Sequence, residues 1–468
     1  FLDGAGKYNS SIQRDIDGDP RGTKADVGVD EFRSYANAAG IDSLDHRVLC
    51  GGLNSPIAYL RNMGFDTLKS ARIALSVRRG SGSWQLHKTI QWTGNLGPHE
   101  VESISLDTIS VAYNDTYQLR VEIVQVNGKT DSLKAFGMNP WYSPAAKPGM
   151  GGTYTVGDSS SDFTDLKSAL KELHGRGMCK SVELLLENKT FEGPFHLYEI
   201  PGSSLRDSIV IRSRDTTKLA TIRRSGKADT VSMAFHLHSA RFFTLERLRI
   251  VNDSLVSKGK GVHLDGNSAY INIRSCHFHY SHYAQHDYAV GNTENSMLNE
   301  IRIENNRITQ ATGNINGRPK VAIQIRKNSD RNSPYHRNIR ISGNYIAPFL
   351  AEGIFVENTR NLTVDGNIQI EDRDDYRYTN DFYSLRVWNI RNMAIRNNRW
   401  QRSNRQVVDV RYCVGLSEPI DISNNEIVAL SSVNNNPAAL FINGSNMALR
   451  HNTLVVYGDY LASYALGG

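Results

Sequence analysis

The chain lacks the features that mark several common protein classes. Its four cysteines lie far apart and form no CxxC pair, which argues against a zinc site made of cysteines and leaves the redox compartment open. No run of eighteen apolar residues occurs, so we expect no membrane-spanning helix. There is also no glycine-rich phosphate loop, no serine nucleophile elbow and no metalloprotease helix. The sequence therefore contains none of these motifs that would identify a catalysed reaction.

The chain also has little excess of one charge. It contains 54 lysines and arginines against 48 aspartates and glutamates, a formal net charge of +6. The arginines are spread along the chain, and the aromatic residues do not alternate with them on a shared stripe. We therefore interpret the basic residues as a solvated surface, with attraction to anionic polymers as the alternative. No nucleic-acid partner is expected.

A short phrase recurs through the second half of the chain. It reads apolar-x-apolar-x-x-Asn-x-apolar, with clear copies at 301–308, 339–346, 393–400, 420–427 and 447–454, and looser ones at 243–250, 271–278 and 362–367. Apolar residues two apart indicate strands, and a recurring unit that cannot bury its own apolar face indicates a stacked solenoid. The predicted fold is all-β, with a right-handed parallel β-helix as its main domain.

The asparagine of each phrase has a structural role in this fold. At the turn between two strands it tolerates a left-handed backbone, and its amide can hydrogen-bond the asparagine of a neighbouring coil. We therefore expect a structural asparagine ladder rather than substrate ligands. Its members are Asn306, Asn344, Asn367, Asn398, Asn425 and Asn452. Cys276 takes this position in its own copy, which predicts a small buried side chain rather than a disulfide partner.

The chain divides into three predicted domains. Residues 1–34 are interpreted as the closing segment of a preceding β-rich domain of the β-helix type. Residues 41–140 contain short alternating runs separated by turn signals, including Asn127-Gly128, and predict an immunoglobulin-like β-sandwich. Residues 151–468 are assigned to the β-helix.

An amphipathic helix is predicted at the start of the β-helix, from about Asp162 to His174, where it can cover the edge strands of the first coil. Its apolar face comprises Phe163, Leu166, Ala169, Leu170 and Leu173. The chain starts at Phe1 and stops after a repeat without a capping segment. Because solenoid ends need polar caps, we expect a fragment of a longer tandem-domain polypeptide, truncated at the C-terminus.

A possible cation site lies in the first segment. Asp15, Asp17 and Asp19 alternate around Gly18, like the first half of a calcium loop, but the distal bidentate glutamate of such a loop is missing. Two interpretations stay open, a Ca²⁺ site and a hydrogen-bonded closing turn. No other cofactor is expected.

Histidines form the densest chemical cluster of the sequence. His277 and His279 flank Phe278, so both should point outward from one strand. The candidate binding residues are His277, His279, His282 and His286. Histidines 236, 238 and 263 on earlier coils extend this cluster into a possible surface patch for a metal, a proton transfer or a glycan. The alternative is that exposed polar positions are simply where histidines are tolerated.

Three motifs in order resemble parts of large secreted cell-surface proteins of gliding bacteria, of the Bacteroidetes type. The aspartate-rich segments 15–21 and 26–32 are similar to the end of a β-helix domain of those proteins. Cys50-Gly51-Gly52 and the segments 92–96 and 117–131 are similar to an immunoglobulin-like module. Segments 152–156, 162–173 and 182–191 are similar to the opening of the next β-helix. The resemblance implies secretion to the cell surface and an adhesive or scaffolding role. It implies as partners other domains of the same polypeptide, cell-surface proteins or polysaccharide.

The main functional hypothesis is therefore a non-catalytic structural or adhesive surface protein, with no catalytic residue assigned. The alternative is a carbohydrate-active β-helix enzyme, above all a polysaccharide lyase on an acidic glycan, or a glycan-binding module. A lyase needs a cation that neutralises the uronate carboxylate and a base near the abstracted proton. A hydrolase needs carboxylates facing one groove, for which the acidic run 371–376 is a candidate.

Overall fold

The computed structural model describes residues 6–7, 9, 11–16, 20–21, 23, 35–45, 50–112, 115–130, 140–143, 147–223, 233–252, 259–280, 286–310, 319–327, 335–347, 351–370, 383–403, 406–430, 438–457 and 464–467. The fold is all-β, as predicted. The chain forms two compact units, Phe1–Gly149 and Met150–Gly468.

The first unit contains antiparallel sheets. A three-stranded sheet has the order Ala39–Leu44, Ile57–Asn62 and Val101–Ser105, and a two-stranded sheet pairs Gly52–Asn54 with Ile109–Val111. The largest sheet has the order Trp141–Tyr142, Tyr117–Val126, Leu68–Arg79 and Gln85–Leu96, with Lys129–Thr130 paired to Tyr117–Val126. The Asn127-Gly128 turn closes the last hairpin with both residues at positive φ, 48° and 77°. One apolar core packs between these strands.

The second unit is a parallel β-helix whose coils each pass through three strand positions, named here face 1, face 2 and face 3 in chain order. Faces 1 and 2 belong to one nineteen-stranded sheet and face 3 is a ten-stranded sheet. The strands of face 1 are Phe195–Leu197, Met233–His238, Lys260–Asp265, His286–Asn292, Pro319–Ile325, the first parts of Glu352–Asp365 and Tyr383–Arg396, Gln406–Val414, Ala438–Ser445 and Tyr464–Gly467.

The remaining strands complete each coil. Those of face 2 are Met150–Val156, Met178–Leu186, Ile209–Ser213, Arg241–Glu246, Ala269–Arg274, Asn299–Glu304, His336–Ser342, the second parts of Glu352–Asp365 and Tyr383–Arg396, Ile420–Ser423 and Met447–Arg450. Those of face 3 are Thr190–Glu192, Thr221–Arg223, Arg249–Asn252, His277–Tyr280, Arg307–Gln310, Tyr345–Ile346, Ile368–Ile370, Arg399–Ser403, Glu426–Leu430 and Thr453–Tyr457.

The alternation of the repeat phrase explains the core. On face 2, Ile301 and Ile303 are fully buried, while Arg302 between them is exposed. The same register holds between coils, where Ile301 is paired with Ile339 in a parallel ladder. Stacked inward residues thus form one continuous apolar core along the unit. The prediction of a parallel β-helix solenoid is confirmed.

The phrase asparagines form a hydrogen-bonded ladder inside the solenoid. The backbone N–H and the side-chain Nδ2 of Asn306 both donate to Oδ1 of Asn344, each at 3.0 Å. Asn344 makes the same two bonds to Asn367, and the pattern continues to Asn452. At the other end, the N–H of Cys276 donates to Oδ1 of Asn306 at 2.9 Å, and the Cys276 thiol is free and buried.

The left-handed backbone, however, lies one residue earlier than expected. The positive φ angles belong to the residues that precede the ladder, such as Asn305 at 54°, Asn397 at 58° and Gly343 at 64°. The expectation that the ladder asparagine itself takes this conformation is therefore wrong. The preceding residue takes the left-handed conformation of the turn. As a result, the side chain of the ladder asparagine points inward, where its amide hydrogen-bonds to the next coil.

One α-helix, Leu166–Arg176, is present in the described part of the chain. It begins later than predicted because Oδ1 of Asp165 accepts a hydrogen bond from the N–H of Ser168 at 2.8 Å and caps its N-terminus. Leu166, Ala169, Leu170 and Leu173 are buried in the core of the first coils. Phe163 precedes the helix instead. Its backbone forms an isolated β-bridge with Val156, and its ring lies 5.7 Å from the ring of Tyr154. Within the described ranges, no helix is long and apolar enough to span a membrane.

Candidate functional site on face 1

The predicted histidine patch is divided between two faces of the solenoid. His277 and His279 lie on face 3 with ring centroids 5.8 Å apart, and Nε2 of His277 is 2.7 Å from the hydroxyl of Thr309. His236 and His263 lie on face 1, directly paired on neighbouring coils. The expectation of one continuous patch is therefore wrong, because the strands that carry His263 and His277 follow each other within one coil and lie on different faces.

Several predicted site residues lie outside the described residues. These are His282, Asp17, Asp19 and the acidic run 371–376, and His286 is described only as the first backbone position of a face 1 strand. Asp15 is described. The calcium site at residues 15–19 stays a prediction.

A groove of about 610 Å³ lies on the outside of face 1. Its lining contains four cations, three carboxylates and three aromatic rings among other groups. The lining residues are Lys260, Asp287, Tyr288, Asn292, Thr293, Glu294, Lys320, Val321, Gln324, Arg326, Glu352, Phe355, Arg386 and Trp388. They come from five successive coils, so the groove runs along the solenoid.

Tyr288 joins the groove to the histidines of face 1. Gly291 is paired with His263 on the preceding coil, and the Tyr288 ring lies where a Gly291 side chain would stand. A Cβ added to Gly291 would be only 2.7 Å from Cδ2 of Tyr288. The glycine thus lets the ring lie flat on the strand, and the Tyr288 hydroxyl lies 2.6 Å from Nδ1 of His263. Burial raises the pKa of the Tyr288 phenol and lowers that of His263 to about 3.

Lys260 provides a partly desolvated positive charge beside this pair. Its Nζ lies over the Tyr288 ring, 5.3 Å from the centroid, and burial lowers the pKa of the ammonium group. Among the described residues, no carboxylate lies within 4.0 Å of Lys260 or of the exposed Lys320. Both lysines therefore have donors available for an anionic ligand.

The two arginines of the groove are, in contrast, already paired. Arg326 lies 3.1 Å from Glu294 and 3.3 Å from Glu357. Arg386 lies 3.2 Å from Glu352, and its guanidinium is 3.9 Å from the ring centroid of Trp388. Such pairs hold the aromatic and carboxylate side chains of the groove in place.

Glu357, beside the groove, differs from the other carboxylates. Burial raises its pKa, although Arg326 acts in the opposite direction. A carboxyl group with a raised pKa is suited to donate a proton.

A second group of polar side chains lies next to His263, whose ring centroid is 5.3 Å from that of His236. Nε2 of His236 and Nδ1 of His238 lie 3.6 and 3.4 Å from Oδ2 of Asp265. Burial alone would raise the pKa of Asp265, but hydrogen bonds from Gly266, Thr293 and His238 lower it overall. Burial lowers the pKa of His236, and the nearby His196 adds to this effect.

Most groove residues were missed at the sequence level. Lys260, Tyr288, Arg326 and Arg386 fall outside the repeat phrase, which covers faces 2 and 3. One signal was present, because Gly291 in the middle of a strand run indicates that another group approaches the backbone closely.

The second unit thus belongs to the class of parallel β-helix proteins with a long polar groove. Neither a protein-family model nor a curated protein sequence matches the chain. It is similar to a lacto-N-biosidase from Eubacterium ramulus, with 14% identity, 67% of this chain and 68% of that chain covered, and a TM-score of 0.42.

Two further solved structures are similar to this chain with lower TM-scores. An alginate lyase from Paenibacillus sp. str. FPU-7 has 16% identity, covers 62% of this chain and 96% of its own, and has a TM-score of 0.34. A rhamnogalacturonan lyase has 10% identity, covers 67% of this chain and 86% of its own, and has a TM-score of 0.34.

These structures correct the interpretation of the chain as a non-catalytic structural or adhesive protein. All three are carbohydrate-active enzymes, the class of protein that the alternative hypothesis names. Because the likeness is limited to the fold, the substrate and the reaction have to be argued from the side chains of this chain.

Proposed function

We propose that the second unit cleaves an acidic polysaccharide by β-elimination in the groove on face 1. The observation that carries this proposal is the position of Lys260 beside the Tyr288–His263 pair. A lyase needs a cation for the uronate carboxylate and a proton-transfer group next to it, and these residues supply both within one groove.

The substrate carboxylate would bind the lysines of the groove. Lys260 forms no ion pair within 4.0 Å among the described residues. Burial lowers its pKa, and the charges of the nearby Asp287 and Asp265 offset this only in part, so an incoming anion would gain an interaction there. Lys320, which also lines the groove, adds a second positive charge two coils further along the solenoid. Neutralising the carboxylate makes the hydrogen on the adjacent sugar carbon, C5, more acidic.

Tyr288 would transfer the protons. In one concerted step, the Tyr288 oxygen takes the proton from C5 while its hydroxyl proton passes to the glycosidic oxygen. The electron pair of the C5–H bond forms the C4–C5 double bond, and the pair of the C4–O bond leaves with that oxygen. The proton lost from C5 thus replaces the one given to the leaving oxygen. The Nδ1–H tautomer of His263, 2.6 Å away, would donate a hydrogen bond to the Tyr288 oxygen and stabilise it.

Hydrolysis of a glycan is the second candidate, favoured by the carboxyl groups of the same region. Glu294 and Glu352 line the groove, and the raised pKa of Glu357 suits a general acid. The two reactions give different products, because elimination creates a carbon–carbon double bond and hydrolysis adds water.

A screen of uronate polymers with the full chain tests the proposal. We expect ultraviolet absorbance from an unsaturated product on at least one polymer, strongly reduced in Tyr288→Phe and Lys260→Met and kept in His279→Ala on face 3. New reducing ends without absorbance would instead identify a hydrolase. Silence in both assays across acidic and neutral glycans would contradict the proposal.

We make three further proposals, on the handedness of the solenoid, the fold of residues 41–140 and the location of the protein. We propose a right-handed coil for the solenoid, in line with the handedness of parallel strand crossovers, and an immunoglobulin-like sandwich for residues 41–140, on their antiparallel strands. We also propose secretion to the cell surface, supported by the resemblance to surface proteins of gliding bacteria. Detecting the chain in surface and culture fractions of its source cells would test the location.

A further inference from the structure

We propose that His236, His263 and Asp265 on face 1 bind a divalent transition-metal ion of the zinc type. This inference does not depend on the proposed glycan cleavage. It rests on three potential ligands that two neighbouring coils bring to one point and on the hydrogen bonds that surround them.

The register of the solenoid brings the three side chains together. His236 is paired with His263 on the next coil, and Asp265 follows two residues later on the same face. One potential ligand atom of each residue lies within 4.8 Å of the other two, and Nε2 of His236 is 3.6 Å from Oδ2 of Asp265. Ligand atoms around a tetrahedral zinc ion are about 3.3 Å apart, so small rotations of the side chains would close the site.

Each ligand is held by a hydrogen bond through its other polar atom. Nδ1 of His263 is engaged by the Tyr288 hydroxyl at 2.6 Å, and Nδ1 of His236 lies 3.3 Å from Nδ1 of His196. Oδ1 of Asp265 accepts hydrogen bonds from the N–H of Gly266 and the hydroxyl of Thr293, at 2.7 and 2.9 Å. Metal-binding histidines and carboxylates are typically oriented in this way.

The atoms left for the metal include one without a hydrogen bond. Nε2 of His236 is buried and has no hydrogen-bond partner within the described residues. A buried polar nitrogen without a partner is costly, and a metal ion at this point would satisfy it.

The ligand chemistry indicates which ion the site would take. Two imidazoles and one carboxylate suit Zn²⁺ and related ions, whereas Ca²⁺ and Mg²⁺ prefer sites made of oxygen atoms. Three protein ligands also leave a coordination position for water or for an oxygen of a ligand. His277 and His279 on face 3 make a matched comparison, because they are adjacent histidines that form no such three-residue group in the described structure.

Metal titration of the full chain, purified without a histidine tag and stripped with a chelator, tests the site. We expect isothermal titration calorimetry and elemental analysis to give one tightly bound Zn²⁺, and Co²⁺ to give the visible absorption of a tetrahedral site. His236→Ala and Asp265→Asn should weaken binding by roughly 100-fold, and Tyr288→Phe, which acts through the orientation of His263, by roughly 10-fold.

The double variant His277→Ala, His279→Ala should bind zinc like the unchanged chain. Circular dichroism checks that each variant is folded. Because Asp265→Asn keeps the size of the side chain, a loss of binding in the folded variant reports the missing carboxylate. The proposal is overturned if the unchanged chain binds no zinc, if Asp265→Asn binds it equally tightly, or if only the face 3 variant loses it. Because no glycan is involved, the result is separate from the test of cleavage.

Discussion

The hydroxyl of Tyr288 lies 2.6 Å from Nδ1 of His263, although the two residues are 25 positions apart in the sequence. The contact exists because Gly291, paired with His263, leaves room for the Tyr288 ring on the outside of the strand. This pair adjoins both proposed sites, the groove with Lys260 and the metal ligands with Asp265.

Gly291→Ala should displace Tyr288, since the added Cβ would lie 2.7 Å from its ring. A displacement of about 1 Å at a reacting group typically costs roughly 100-fold in rate, so we expect a loss of this size in glycan cleavage. Gly175→Ala is the control, because a Cβ at Gly175 meets no atom within 4 Å. Equal activity of Gly291→Ala and the unchanged chain would count against a role for the position of Tyr288.

Asn367→Ala should destabilise the second unit strongly. Asn367 is fully buried, and its Nδ2 donates to Oδ1 of Asn398 and to the carbonyl of Ile341 at 2.9 and 3.0 Å. Its Oδ1 also accepts from the N–H of Asn344, so the alanine leaves several buried groups unpaired. We expect a loss of roughly 2–5 kcal/mol in denaturant unfolding.

Asn272→Ala is the matched control for this prediction. Asn272 donates to the Thr244 hydroxyl across neighbouring coils at 3.3 Å, but on the half-buried outside of face 2. Its loss should cost less than about 1 kcal/mol. Similar losses for both variants would show that the internal ladder has no special role.

The stability of the second unit should fall as the pH drops from 6.5 towards 4. Burial of His336 lowers its pKa from 6.5 to about 4, and its Nδ1 accepts the N–H of Leu298 at 3.1 Å. In this window the unfolded chain binds a proton that the folded chain excludes, so protonation favours unfolding. The contribution is fully present above pH 6.5 and amounts to on the order of 3 kcal/mol.

His336→Asn isolates this contribution, because the asparagine oxygen can still accept the Leu298 N–H. The variant should be less stable at neutral pH and should lose less stability on acidification than the unchanged chain. Parallel pH profiles of the unfolding free energy would show that His336 is not the group responsible.

Methyl esterification of the substrate should abolish the contribution of Lys260 to the rate of cleavage. Removing either charge of a desolvated ion pair costs about 2 kcal/mol or more, which corresponds to roughly 30-fold in the rate of cleavage. Lys260→Met should cleave the free acid more slowly than the unchanged chain by this factor. Esterification of the substrate should not change the cleavage rate of the variant any further. Lys171→Met, on the exposed side of the helix, should respond to the ester like the unchanged chain. Equal sensitivity of Lys260→Met and the unchanged chain to the ester would place the carboxylate elsewhere.

The solenoid could be predicted because its core follows a local rule. Ile301 and Ile303 are two residues apart, and a period of two places both on the same side of a strand. The asparagine ladder was also predictable, because Asn306 and Asn344 occupy the same position of the phrase. The left-handed residue was misplaced because the phrase defines the asparagine and leaves the preceding position, such as Asn305 or Gly343, free to vary.

The groove could not be predicted in the same way. Alternation shows that His236 and His277 point outward, but it does not show which face of the coil each strand occupies. Lys260 and Tyr288 meet only through the pairing of two face 1 strands, whose separation in sequence depends on an irregular connection. Side chains that meet through register leave no spacing motif in the sequence.

The mass of the products from a cleaved uronate polymer tests the central claim most directly. The unchanged chain should yield fragments lighter by one water than hydrolytic fragments, and Tyr288→Phe should yield almost none while folding normally. Fragments that contain the added water, or unsaturated fragments formed equally well by Tyr288→Phe, would contradict elimination by Tyr288 in the groove on face 1.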